Sequence, residues 1–395
     1  MPVPGVVWQT MHYMVGFERL GYDVTYVEAH ARTPSMLMRT AGDDSSVLAA
    51  AFIAGVMKRF GRSDRWAYQA LHDDGACYGL TEGRLRGLFE SAELVVNLHG
   101  GTKPRPEHYA TDRLIYIGTD PVQLELELAR GDEEAIAFLE PHCAVFTFAE
   151  CYGRPECALP ANDRFDLLPT RQPMILDWWE PVPEARDAFT TIANWRQRWR
   201  EVTWQGETYH WSKHREFLAL VDLPGRTRQP LELALANCGP DDRARLVENG
   251  WAVRDALAFS ADPDAYRDYI RHSRGEFTVA KDQNIRFRTG WFSDRAASYL
   301  ASGRPVVTQD TGFGSVLPLG EGLFAWRTAD EAVEALETID ADYGRHARAA
   351  RAIAAEHFDA SAGGGARRQR GGAPGAPGSW APGLRRGGGA GGGGT

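Results

Sequence analysis

At 395 residues the chain exceeds the comfortable size of one hydrophobic core, and its 43% apolar and 25% charged content matches soluble globular proteins, so two domains are expected. The net charge is −9, and five arginines without an acid follow Ala360, so residues 1–360 carry −14; a body this acidic excludes the basic footprint of nucleic-acid binding. No apolar run reaches bilayer-spanning length and no basic-then-apolar leader opens the chain, which predicts a cytoplasmic protein with no stable membrane insertion.

The first half alternates helix and strand. Residues 9–20 place Tyr13, Phe17 and Leu20 on one helical face, Gly21 ends that helix, and DVTYVE follows as a β-branched and aromatic strand. VLAAAFIAGVMKRF and TEGRLRGLFESA read as helices, with Thr81 as the N-cap of the second. ELVVNLHGG, RLIYIGTD and AVFTFAE read as buried strands between helical segments. Repeated strand–helix–strand units imply a parallel sheet with helices on both faces. The five cysteines, Cys77, Cys143, Cys151, Cys157 and Cys238, form neither a metal-ligand spacing nor an even disulfide framework, so reduced thiols and no metal site are expected.

Residues 167–185 (LLPTRQPMILDWWEPVPEA) are proline-rich and without a period, and serve as a linker. Alternation restarts with FTTIANW, a helix around KHREFLALV, LELALAN, helices around DRARLVENG and DAYRDYIRHS, and EFTVAKD. DEAVEALETIDADYGRHARAARAIAAEHF is helical with a break near Tyr343 and Gly344. The predicted plan is α/β: two doubly wound, Rossmann-like domains (1–166 and 186–330) facing a cleft, with helices at 331–358 packing back across it. Only MPVPGVV precedes the first helix, so the first strand expected in the middle of the first sheet is missing. Residues 359–395, of Gly, Ala, Pro and Arg, are expected to be disordered. A start codon placed too late and a frame slip near Ala360 would explain both ends.

The densest chemistry lies in TGWFSDRAASYLASGRPVVTQDTGFG, residues 289–314. Ser293 is placed to cap a helix from Asp294 to Ser302, whose free N–H groups would face a phosphate over the turn Gly290, Trp291, Phe292, Ser293. RPVVTQ is the next strand, and Asp310, Thr311, Gly312, Phe313 and Gly314 form the turn at its carboxyl end, where open α/β sheets bind ligands.

Turn, helix, A.GRPVV and glycine turn together resemble the donor half of two-domain glycosyltransferases of the glycogen-phosphorylase-type (GT-B) fold, nearest to the family-one and spore-coat-like members that use nucleotide sugars. HYMVGFERLGYDVTYVE resembles that family's opening helix and strand, and LVVNLHGG its acceptor-side strand ending in His. Retaining members carry two glutamates eight positions apart in the donor segment; Gly290 and Ser298 stand there, so the stereochemical course stays open.

The resemblance implies a nucleotide-diphosphate sugar as co-substrate, no other cofactor, and a small-molecule or glycan acceptor. By position it gives Arg196 and Lys213 the neutralisation of the diphosphate; Lys281, at a strand end facing the same cleft, reads first as a surface salt bridge and only second as a further cation there. His99, backed by Gly100 and Gly101, and His12 are the candidate bases for the acceptor hydroxyl. Asp120 and Glu150, each closing a strand, are candidate acceptor-hydroxyl ligands, and Trp8, Trp291 and Phe292 candidate stacking residues. The reading is a metal-independent, hexosyltransferase-like enzyme. A nucleotide-sugar epimerase of the same fold, or a catalytically impaired nucleotide-sugar-binding protein, are its alternatives.

Overall fold

A computed structural model describes residues 3–29, 38, 40, 42–183, 186–197 and 200–362; the tail from residue 363, and most of the disorder expected of it, lie outside the described residues. The first half holds seven strands in two sheets. One is β1 (Tyr26–Ala29), β2 (Trp66–Gln69) and β3 (Cys77–Gly79), with β1 and β2 parallel and β3 antiparallel. The other is wholly parallel: β4 (Val95–Leu98), β5 (Leu114–Gly118), β6 (Ala144–Thr147) and β7 (Leu167–Pro169), in that order.

The two sheets share their helices. Pro4–Arg19, opened by a proline in its first turn, packs Met11 and Met14 with Trp66 and Tyr68 of β2. Tyr13 and Phe17 of the same helix pack with Ile115 and Ile117 of β5. Leu85 and Phe89 of helix Glu82–Ser91, capped by Thr81 as the sequence predicts, join Val27, Ala67 and Val95. β1 and β4 nonetheless belong to separate sheets, with no strand between them among the described residues.

The second half is one six-stranded parallel sheet of β8 (Phe189–Asn194), β11 (Leu231–Ala236), β12 (Ala252–Asp255), β13 (Gly275–Thr278), β14 (Val306–Gln309) and β15 (Leu323–Trp326). A separate antiparallel hairpin is made by β9 (Val202–Trp204) and β10 (Glu207–Tyr209). The sheet runs β12-β11-β8-β13-β14-β15, the 3-2-1-4-5-6 order of a doubly wound domain, and its winding reverses between β8 and β13. Phe189 of β8 stands in register with both Leu231 and Gly275, and the strands are apolar on both faces because helices cover both. The fold is therefore α/β with two parallel-sheet units, as the alternation implies.

The chain returns to the first half at its end. Helices Ala329–Ala341 and Tyr343–His357 break at Asp342, whose carboxylate caps the second by accepting from Arg345 N at 3.1 Å. The second helix joins the apolar cluster of helix Asp294–Ala301. Met174 then forms an isolated parallel bridge with Asp359: its N–H donates to Phe358 O at 2.7 Å and its carbonyl accepts from Ala360 N at 2.9 Å. β2, β3, β7 (inside the stretch read as linker), the hairpin, β12 and β15 are additions to the sequence reading; each strand has three or four residues, too few for a period to show.

Candidate functional site

The site lies where the winding of the second sheet reverses, at the carboxyl ends of β8 and β13, and it faces the carboxyl ends of β4 and β5 from the first half. Its floor is a buried ion pair. Arg295, from the first turn of helix Asp294–Ala301, reaches under the strand ends. Its Nε donates to Glu276 Oε1 at 2.5 Å, Nη2 to Thr278 Oγ1 at 3.0 Å and Nη1 to Ile192 O at 2.5 Å. Glu276 is wholly buried and its Oε2 has no hydrogen-bond partner among the described residues. Removing either partner would strand the other's charge in low dielectric, so this pair fixes the helix start against the sheet.

Above it stands Lys213, the residue before helix His214–Ala219. Its ammonium lies 6.0 Å from the Trp291 ring centroid and makes no ion pair among the described residues. Burial first, then the neighbouring Arg295 and Lys281, push it well below the ordinary lysine range, with Glu276 and Asp120 opposing. Lys281, which precedes helix Asp282–Phe287, is 12% exposed and sits 3.1 Å from the Trp211 ring centroid and 5.4 Å from that of Trp291. Its Nζ donates to Asp120 Oδ1 at 2.7 Å, across the two halves. Arg200 donates to Asp120 Oδ2 at 3.2 Å. Burial pulls Asp120 upward, but Lys281, Arg200 and His99 together hold it below the usual carboxylate value.

His99 follows β4 with a left-handed φ of 66°, held by its amide donating to Ile117 O at 3.1 Å. Nδ1 lies 2.8 Å from Thr119 Oγ1, while Nε2 is buried with no partner among the described residues. Burial lowers the ring to about 4 against a smaller upward pull from Asp120, so it is neutral at physiological pH. With Nδ1–H given to Thr119, the Nε2 lone pair is free to accept from a hydroxyl.

The two turns of the 289–314 segment close on each other rather than standing open. Gly290 N–H donates to Thr311 O at 2.8 Å and the Thr311 hydroxyl donates to Trp291 O at 2.7 Å. Trp291 is 9% exposed and its indole N–H donates to Thr119 O at 3.0 Å; Phe292 and Phe313 stack edge-on at 5.3 Å in the core. Asp310 accepts from Gly312 N at 2.7 Å, from Arg327 Nε at 2.8 Å and from Arg288 Nη1 at 3.3 Å. Gly312 has a φ of 98°, and a Cβ there would lie 3.1 Å from Arg288 O.

Several predicted residues take other places. Ser293 occupies the N-cap position with extended backbone, but its side chain makes no cap bond. Asp294, next to it, accepts from Gln9 Nε2 of the first helix at 2.7 Å, and burial raises it to about 7 against that bond. Arg196 is half exposed and engaged by Asp242, its Nη2 at 2.7 Å from Oδ2, so its guanidinium is tied to helix Pro240–Glu248. His12 is 2% exposed, beneath Trp8, Trp178 and Trp179. The Ile175 amide (2.9 Å) and the Trp179 indole (3.0 Å) both aim N–H groups at its ring nitrogens. Burial lowers His12 to about 3, and its neutral ring serves packing of the linker on the first helix. Trp8 likewise packs in the core, its indole donating to Pro263 O at 2.8 Å. Glu150 is paired with Arg171 and raised to about 7 by burial, which outweighs that pairing.

The Glu276–Arg295 pair and Trp211 were not singled out from the sequence. Glu276 inside the apolar strand EFTV is the one signal that was present, since a carboxylate there needs a buried partner. Among the described residues no three His, Cys, Asp or Glu side chains gather as metal ligands, and no helix is long and apolar enough to cross a membrane.

No protein-family model matches the chain, and no curated protein matches it by sequence. Solved structures do. Sucrose-phosphate synthase from Thermosynechococcus elongatus aligns at 12% identity over 85% of this chain and 95% of that one, with a TM-score of 0.44. AviGT4, a glycosyltransferase involved in avilamycin A biosynthesis, aligns at 11% over 85% and 94%, TM-score 0.43. Anabaena HepE in complex with UDP aligns at 14% over 85% and 96%, TM-score 0.46. At 11–14% identity and TM-scores of 0.43–0.46, these similarities assign the chain to no family.

Proposed function

We propose that this protein transfers a sugar from a nucleotide-sugar donor to a hydroxyl of an acceptor. The observation that carries the reading is Lys213: an inward lysine without an anionic partner among the described residues, at the switch point of a doubly wound sheet, lowered by burial first and then by the cations beside it. A lysine in that setting holds its proton more firmly when a polyanion arrives, and the diphosphate of a sugar nucleotide is such an anion. As the glycosidic bond to the leaving diphosphate breaks, negative charge grows there, and Lys213 with the first turn of helix Asp294–Ala301 would stabilise it.

The proton leaves the acceptor from the other side. His99, neutral and with Nε2 unpaired, accepts it while Nδ1–H is steadied by Thr119, and Asp120 stabilises the imidazolium formed. No metal ion enters these steps. Incubating the protein with a panel of nucleotide sugars tests the reading, with release of nucleoside diphosphate measured with and without a mixture of hydroxyl acceptors. Acceptor-dependent release is expected; interconversion of donors without acceptor would mark an epimerase, and binding without turnover a binding protein.

A further inference from the structure

Lys281 and Arg200 lie over the same indole, that of Trp211, with Nζ at 3.1 Å and the guanidinium carbon at 4.8 Å from its centroid. Both come from the second half of the chain. Each engages a different oxygen of one carboxylate from the first half: Lys281 Nζ to Asp120 Oδ1 at 2.7 Å, Arg200 Nη1 to Asp120 Oδ2 at 3.2 Å. Gln283 Nε2, donating to Arg200 O at 2.6 Å, holds the arginine backbone, and Trp211 Nε1, donating to Gln197 Oε1 at 2.6 Å, holds the ring. Two cations stacked on one aromatic ring and sharing two oxygens of one anion form a cradle for an oxyanion, and Asp120 is its present occupant.

Resting on the nucleotide-sugar reading above, we propose that Lys281 and Arg200 belong to the diphosphate site and that Asp120 is an internal stand-in which the diphosphate displaces. Three observations carry this. The cradle reaches solvent, since Asp120 is 39% and Arg200 52% exposed. The Trp291 ring centroid lies 5.4 Å from Lys281 Nζ and 6.0 Å from Lys213 Nζ, so the cradle is continuous with the Lys213 position at the switch point. And Lys213 adds a third cation that interacts with both Lys281 and Asp120, so a dianion gains more here than the monoanionic carboxylate it removes. Because Asp120 belongs to one half and both cations to the other, donor entry breaks one ion-pair contact between the halves, which Cys151 N–H to Thr289 O and Trp291 Nε1–H to Thr119 O still hold together.

Calorimetric titration with inorganic pyrophosphate at fixed ionic strength tests the proposal on wild type, Asp120→Asn, Lys281→Met and the double variant, each checked for cooperative melting. Asp120→Asn is expected to bind pyrophosphate about tenfold more tightly, because the competitor is gone, and Lys281→Met at least tenfold more weakly. In the double variant the gain from Asp120→Asn should fall below about threefold, since the contact it relieves is already absent. Unchanged or weaker binding in a folded Asp120→Asn would overturn the proposal. If that variant does not fold, Asp120→Ser decides. Tighter pyrophosphate binding in Asp120→Ser supports displacement, and unchanged binding rejects it. These outcomes are separable from those of the sugar-transfer reading: pyrophosphate can displace Asp120 in a protein that turns over no sugar nucleotide, and turnover can occur with Asp120 as a bystander.

Discussion

Gly290 and Cys151 meet across the two halves so closely that no side chain fits between them: a Cβ on Gly290 would lie 2.6 Å from Cys151 Sγ and 2.7 Å from its backbone nitrogen. Cys151 N–H donates to Thr289 O at 2.9 Å, so the contact is anchored by backbone on both sides. The position that holds a glutamate in retaining relatives of the resembled family is thus glycine for a steric reason.

Gly290→Ala should therefore destabilise the protein by about 1–3 kcal/mol, through the clash and the φ of 77° that an L residue resists. Cys151→Ala in the same chain removes the sulfur contact but leaves the nitrogen and the dihedral, so it should restore only part of the loss. Urea denaturation of the two variants checks this. Full recovery in the double variant would mean that the sulfur alone sets the approach.

Lys213→Met should weaken binding of nucleoside diphosphates by roughly 10–100-fold while leaving nucleosides nearly unaffected, as expected when one charge-assisted contact to phosphate is lost. Calorimetry with a matched nucleoside and its diphosphate separates the two. Equal weakening of both would place Lys213 away from the phosphates.

Asp294 gives a pH-dependent prediction. Its folded value of about 7 lies above the ordinary 3.8, so the fold favours the protonated acid. The stability this contributes is full below pH about 4 and lost as pH rises through about 7. Asp294→Asn keeps an oxygen for Gln9 and cannot ionise. Its melting temperature should match wild type near pH 4 and exceed it by a few degrees at pH 8. His99 and His12, both lowered by burial, act in the opposite direction below pH about 6.5 and are common to both proteins, so they cancel in the difference. A difference that does not grow with pH would show that Asp294 is ionised throughout.

Much of the plan was legible because apolar runs such as LELALAN and RLIYIGTD carry their own strand signal, and their order alone implies parallel sheets. His99 and Asp120 were legible for the same reason, since each ends such a run. What stayed hidden depends on partners distant in sequence. Nothing local distinguishes His12, enclosed by Ile175 and Trp179, from His99, which keeps a free nitrogen. Lys281 read as a surface salt bridge; its ion pair exists, but it joins the two halves over Trp211. Gly312 suits close approach to a ligand from sequence, yet its carbonyl neighbour Arg288 shows that the fold itself requires glycine, so Gly312→Val would mix strain with any loss of donor binding.

His99 carries the chemical step in this reading, and its test must separate proton transfer from structure. Its Nε2 is the unpaired atom, Nδ1 faces Thr119, and its left-handed backbone is tied to Ile117. His99→Gln keeps a side-chain amide near Thr119 but offers no basic nitrogen, so it should retain wild-type melting and donor affinity and lose transfer by roughly 10²–10⁴. The rate profile adds a second readout. Protonating His99 removes its lone pair, so wild-type transfer should fall as pH drops through about 4, or somewhat higher if donor binding frees Asp120 to raise the ring. In His99→Gln that acid limb should vanish along with most of the rate. A variant that keeps the limb while losing the rate would show that another group takes the proton and that His99 only holds the loop after β4 in place.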